Sequence, residues 1–261
     1  MNKSHFTKVL AMLGIAFAAS NAFAKGTSRA VGSGIVYPAP SHALIQNASA
    51  LPEAPRASVE GIYFFQDVDS NDKFDGHASL VGSTGMVGLG VGWRQQLTVN
   101  TYEAGFGAWL GKRVGLGATV RSTDIGENLD GDLALSIDFS KLRLAVVARS
   151  IDDEINRMDV GLGMTHGPVT VEFNAKKTDP FDFDVKNYLF DAGLAAHHDM
   201  FSFGIGYDFS YNGTDWVDGG LHAGVGLGLM QNRLIIEGFY RPMVQEGFSN
   251  ADWNAGIKYN F

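Results

Sequence analysis

The chain contains no cysteine among its 261 residues, which removes disulfide scaffolds and every Cys-ligated metal site. Charge is sparse, at 18%, and leans acidic, with 28 Asp and Glu against 20 Lys and Arg. A disordered chain or a coiled coil would carry more charge and fewer aromatics. A nucleic-acid binder would need a basic face to neutralise phosphates, so no nucleic acid is expected as a partner. Proline is scarce at 7, and Pro38, Pro40, Pro52 and Pro55 fall in one short stretch. The apolar run Val9 to Ala19 is too short to cross a bilayer as a helix, which takes about 20 residues. What is plentiful is glycine, at 33, with 18 Phe and a hydrophobic fraction of 45%.

The first 24 residues have the form of a secretory signal peptide. Lys3 and Lys8 supply a positive start, Val9 to Ala19 the apolar stretch, and Ala22-Phe23-Ala24 an A-x-A cleavage site. Removing two Lys and no acid takes the net charge from −8 to −10. An exported, acidic, cysteine-free chain is expected.

Beyond residue 57 the apolar residues recur with period two, the signature of strands. Phe201, Phe203, Ile205, Tyr207, Phe209 and Tyr211 share one face, with Ser202, Gly204, Gly206, Asp208 and Ser210 on the other. The C-terminal segment repeats the pattern with Trp253, Ala255, Ile257, Tyr259 and Phe261. A soluble sandwich also alternates, but its polar face is richer in charge and Thr than in Gly. Here the polar face is mostly small.

About fourteen strands follow, with twelve as the alternative count: 57–66, 77–82, 85–94, 101–110, 113–122, 131–139, 141–150, 157–165, 168–176, 187–197, 200–210, 216–229, 233–241 and 251–261. Tight links near Ser83, Gly111, Ser140, His166, Asp199 and Gln231 alternate with longer polar ones, among them 67–76, 123–130, 151–156 and 242–250. An even number of antiparallel strands with short turns at one end and longer loops at the other describes an all-β outer-membrane barrel. Closure satisfies the backbone without water, and the apolar face then meets lipid. Tyr and Trp residues cluster toward strand ends, as interfacial girdles do. Outer-membrane lipid and, through the terminal aromatic Phe261, the barrel-assembly machinery are the expected partners. The expected location is the outer membrane of a Gram-negative-type bacterium.

Residues 25–56 differ, since their prolines cannot donate to a ladder. They form either a plug within the barrel or a periplasmic linker. Within them Asn47-Ala48-Ser49-Ala50-Leu51-Pro52 resembles the Asn-Pro-Ala-Ala/Gly-Leu motif that opens the mature region of FadL-type long-chain fatty acid transporters. The resemblance implies a fourteen-strand barrel with an internal N-terminal plug, in which Asn47, Ala50 and Leu51 are the plug-motif residues. Ala48 stands where that family has Pro.

Alternation assigns to the lumen Arg94, Glu103, Arg121, Arg143, Asp159, Glu172, Asp208, His222, Glu237 and Lys258, together with Glu60, Asp132, Asp138, Arg149, Asp191 and Asp218. The lumen is either a polar conduit or a closed interior whose charges pair with one another. His222 has Asp218 four residues before it on the same expected face. No Ser/His/acid constellation stands out, so an enzyme is not expected, and no catalytic, cofactor or metal-ligating set is read. Asp67 to Gly76 opens like a calcium loop but has Asp72 where Gly belongs and Ala78 where Glu belongs, so a solvated acidic hairpin is expected. The expected function is passive, binding-assisted passage of a small or hydrophobic solute. The alternatives are a structural or interaction barrel with a closed lumen and acidic surface loops, and a membrane-embedded lipid-modifying enzyme.

The alternating loop lengths predict an orientation. Cysteines introduced at Asn71, Glu127 or Gly247 should react with an impermeant thiol reagent on intact cells, and one at Ser140 should not. Labelling of Ser140 alone would invert the topology.

Overall fold

A computed structural model describes residues 34–38, 42–54, 57–65, 76–96, 99–111, 113–124, 127–151, 155–178, 180–181, 188–231, 233–242 and 251–261. The segment expected as a signal peptide and the acidic segment 67–75 lie outside the described residues. The strands are β1 Ala57–Phe65, β2 Gly76–Ser83, β3 Val87–Gln96, β4 Val99–Leu110, β5 Val114–Asp124, β6 Glu127–Phe139 and β7 Leu142–Ile151. They continue as β8 Ile155–His166, β9 Val169–Thr178, β10 Tyr188–His198, β11 Phe201–Tyr211, β12 Trp216–Leu229, β13 Leu234–Pro242 and β14 Ala251–Asn260. Each pairs antiparallel with its sequence neighbours, and β1 pairs with β14 from Ser58↔Asn260 to Phe65↔Trp253, so the sheet closes as a fourteen-strand barrel. The backbone amide of Phe261 donates to the Ala57 carbonyl at 2.9 Å and fastens the two ends of the seam together.

All fourteen expected strands are present, and the differences lie at their ends. The stretch 123–130, expected as a loop, is largely strand, with Asp124 paired to Glu127, and Ile151 pairs with Ile155 across the next connection. The reason is that alternation of apolar residues reports only the lipid-facing length. A spanning strand needs about 9–11 residues, whereas β6 has 13 and β12 has 14. In β6 the ladder continues past Leu133, where the outward Gly131 interrupts the apolar alternation that would mark it. At the opposite end the turns are short, helped by left-handed backbone at Gly85 (φ 85°) and Ser140 (φ 73°).

The faces are inverted relative to a water-soluble protein. Val225 on the outside is 59% exposed, while Glu103 on the inside is 3% exposed. Leu89, Val91, Phe106, Leu133, Phe203 and Ile257 continue the exposed apolar band, which only lipid can cover. Aromatic side chains gather at its edges. Near the loop end Tyr188, Phe190, Phe209, Tyr211 and Trp216 form a contiguous cluster, with centroids 5.1 Å apart for Phe190 and Phe209 and 5.0 Å for Tyr211 and Trp216. At the turn end Tyr259 meets Phe261 edge-on at 5.0 Å.

One β-bulge interrupts the regularity. The β11–β12 register shifts between Asp208 and Phe209, so that Asp208 pairs with Gly220 but Phe209 with Asp218. Strict two-residue register along β12 is therefore interrupted between Asp218 and His222.

The faces can be tested directly. Ile205→Arg or Val225→Arg should lower stability by about 2–4 kcal/mol in urea titrations of the refolded barrel. Gly206, which alternation offers as a neutral inward control, lies against the His222 ring. Gly193 is the better control, since a Cβ there would find its nearest neighbour 3.9 Å away, and Gly193→Ser should shift the urea midpoint little. Equal losses in both classes would mean the faces are wrongly assigned.

Candidate functional site

The interior is occupied by the leader. Residues 34–38 and 42–54 lie inside the barrel against β2 to β9, as a helical turn Ala43–Gln46 followed by a 3-10 segment Ala48–Glu53. Pro52 lies within the 3-10 segment, which Ala54 caps, and short alanines along it allow close approach to the wall. Leu44 and Leu51 are almost wholly buried, in a cluster with Ala43, Ala48, Ala50, Ala54 and the wall residue Val81.

The motif residues explain this seat. Asn47 Nδ2 donates to the Ile35 carbonyl at 2.7 Å and to Ser136 Oγ on β6 at 3.1 Å. Its Oδ1 accepts from the backbone amide of Ser49 at 3.1 Å and from Ser49 Oγ at 2.6 Å. All four bonding positions of this buried amide are therefore filled, and one side chain joins both leader segments to the wall. Ala50 and Leu51 supply the apolar contact.

The inward glycines receive the leader. A Cβ on Gly107 would strike the Ala48 carbonyl oxygen, one on Gly117 the backbone of Ser49, and one on Gly88 the backbone of Leu51. Gly161 and Gly163 stand in the same way beneath Val36 and Tyr37. Bonds from the wall fix the height: Thr119 Oγ1 donates to the Leu44 carbonyl at 3.0 Å, and Ser83 Oγ to the Pro52 carbonyl at 2.6 Å. Gly226, on β12, is different, since its nearest neighbours are Ser202 and Glu237. Among the described residues the leader is thus eccentric, with most of its contacts to β2 to β9 and with His42 reaching Glu60 on β1.

Two arginines on β7 clamp it. Arg143, near the turn end, donates to Glu53 at 2.5 Å, to Asp138 at 2.6 Å and to the Val36 carbonyl at 3.4 Å. Its guanidinium also lies 4.7 Å from the Tyr37 ring centroid and 5.0 Å from that of Trp109. Arg149, near the loop end, donates to the carbonyls of Ile45 at 2.8 Å and Gln46 at 2.7 Å. It is held in turn by Asp132 at 2.9 Å and by Asp159. A fixed planar fork with five donors suits this bridging of carboxylates and carbonyls better than an ammonium would.

The remaining candidates divide by location. Arg94 and Arg121 flank Glu103 at 3.8 Å and 3.7 Å, and Arg121 also pairs with Asp130 and Asp132. With Arg149, Asp159 and Arg157 they form one continuous ladder of alternating charge across β3 to β8. Glu172 instead accepts the Tyr37 backbone amide at 2.7 Å. His222 meets Asp208 at 3.5 Å and Asp191 at 3.7 Å, on the two preceding strands. Glu237 and Lys258 sit on β13 and β14, where Lys258 is opposite Glu60 in the register. The ten candidates are therefore not one site. Ser136, Thr119 and Asn174 were missed, although they share strand parity with Asp132, Arg121 and Glu172. Glu53 has no such signal, because the leader is aperiodic.

No protein-family model matches the sequence, and no curated protein does. Solved structures match in fold. The Pseudomonas putida toluene transporter TodX is 13% identical with a TM-score of 0.66, covering 92% of this chain and 98% of that one. The monoaromatic hydrocarbon channel CymD is 11% identical with a TM-score of 0.55, over 88% of this chain and 95% of that one. The Acinetobacter baumannii outer membrane protein Omp33 is 14% identical with a TM-score of 0.57, over 79% of this chain and 98% of that one. The likeness to a FadL-type barrel holds at the level of the fold.

The clamp yields a prediction. Arg149→Ala leaves Asp132 and Asp159 with reduced compensation and two leader carbonyls without donors. It should cost about 3–5 kcal/mol in urea titrations and should expose the leader to added protease while the barrel band stays intact. An unchanged cleavage pattern would show that Arg149 does not hold the leader.

Proposed function

We propose that this chain is an outer-membrane barrel that passes a small or hydrophobic solute passively, with the leader acting as plug and gate. The observation that carries this is the construction of the seat. Glycines beneath the leader backbone and two arginines bonded to it form a wall shaped for an internal segment, and a chain seated by polar bonds can be released and reseated. The β10–β12 side of the lumen, where Gly193, Gly206 and Gly226 have no described leader atom among their nearest neighbours, is the proposed route. The fold shared with a toluene transporter and a hydrocarbon channel supports an apolar solute. No enzymatic role is proposed.

A second reading is favoured by the charge ladder, whose groups are largely paired with one another, as in a closed structural barrel with acidic outer loops as its working surface. Deletion of Thr27 to Pro52 behind an intact signal separates the two. A gated conduit should still fold but should show raised or noisier conductance in planar bilayers and altered uptake of monoaromatic hydrocarbons. Conductance and uptake equal to those of the full-length protein would exclude the plug and favour the structural barrel.

A further inference from the structure

A separate cluster lies where the leader meets the other wall of the barrel. His42 precedes the helical turn, Glu60 is on β1 and Glu237 on β13, and one donor atom from each falls within 4.8 Å of the other two. Glu60 is 3% exposed, yet neither of its carboxylate oxygens accepts a hydrogen bond, and the buried Nδ1 of His42 makes none. His42 Nε2 and Glu60 Oε1 stand 3.8 Å apart, beyond hydrogen-bond range. Lys258 opposes Glu60 in the register and offsets one of the two carboxylates. By contrast, the buried carboxylates Asp132, Asp159 and Glu172 each accept bonds from arginine or amide donors. A buried carboxylate aimed at an imidazole and a second carboxylate, with no donor of its own, is costly unless a cation joins it.

We propose that His42, Glu60 and Glu237 bind a divalent first-row transition cation that pins the leader to the β13–β14–β1 wall. One imidazole and two carboxylates suit Zn²⁺, Mn²⁺ or Fe²⁺. Bonds of about 2.0–2.2 Å would draw the donors to about 3.4 Å apart at a tetrahedral angle, a movement within reach of side-chain adjustment. The arrangement gives the leader a third anchor, opposite the two arginines. It does not depend on which solute passes, or on whether any does.

The test uses the full-length protein folded in detergent, stripped with a chelator and titrated with Zn²⁺ by calorimetry, with stoichiometry checked by elemental analysis. One Zn²⁺ per chain is expected, with stoichiometric binding lost in His42→Ala and in Glu60→Gln. Folding of each variant is verified by heat-modifiable gel mobility. Zn²⁺ should also slow proteolysis of the leader in the unmodified protein and leave it unchanged in His42→Ala. If Glu60→Gln does not fold, His42→Ala decides, because His42 is outside the barrel wall. Zn²⁺ binding that persists in the folded variants, or no saturable binding to the unmodified protein, overturns the proposal.

Discussion

Closure of the hydrogen-bonded ladder is the constraint on which the rest of this structure depends. A strand facing hydrocarbon cannot hand an unpaired amide to water, so the sheet must end on itself. Here β1 meets β14 over eight register pairs. Closure fixes an even strand number for a chain that begins and ends on one side, and it sends alternate residues outward and inward without exception between bulges. The outward set answers to lipid alone and can be uniformly apolar. The inward set must answer to whatever the ring encloses.

A ring of fourteen strands encloses more space than inward side chains fill by themselves. Packing then requires a second component, which is supplied by the leader and by the absence of side chains beneath it. Gly107 and Gly117 are where leader backbone and wall come into direct contact, and their lack of a Cβ is a packing requirement of the assembly rather than of either strand. The polar groups brought inside with the leader need partners, since a buried unpaired carbonyl or amide costs about 1–3 kcal/mol. Thr119, Ser136, Arg143 and Arg149 supply them. The wall and the leader are therefore one packed object, and the asymmetry of the lumen follows from the side on which the leader is seated.

Charge inside the barrel obeys the same logic. Glu103, Asp132 and Asp159 are nearly removed from water; the first two sit between basic groups on neighbouring strands, and Asp159 between Arg149 on β7 and Arg157 on its own strand. Adjacent strands place such residues side by side at close range, which is why a ladder can run across six strands without help from the leader. Arg149 belongs to both systems. It completes the ladder and reaches the carbonyls of Ile45 and Gln46, so that seating the leader and ordering the ladder are coupled through one side chain.

The sequence by itself determined the strands, their order, and which side of each faces lipid. Period-two alternation is a local property and survives in any sheet, so Phe203, Ile205 and Val225 could be placed outside, and Glu103, Arg121 and Asp159 inside, before any contact was known. Its failures are local too: the β11–β12 register shifts at Asp208, because a bulge shifts parity without altering composition, and His222 finds Asp191 and Asp208 on other strands. The plug motif named Asn47, Ala50 and Leu51 but left open whether they lay inside the barrel or below it. Only the tertiary structure decided that, along with the pairing of Arg143 with Glu53 across 90 residues and the approach of His42 to Glu60 and Glu237. An aperiodic leader has no alternation to reveal its contacts, and its position is set by the complementary shape and charge of a wall that exists only after the ring has closed.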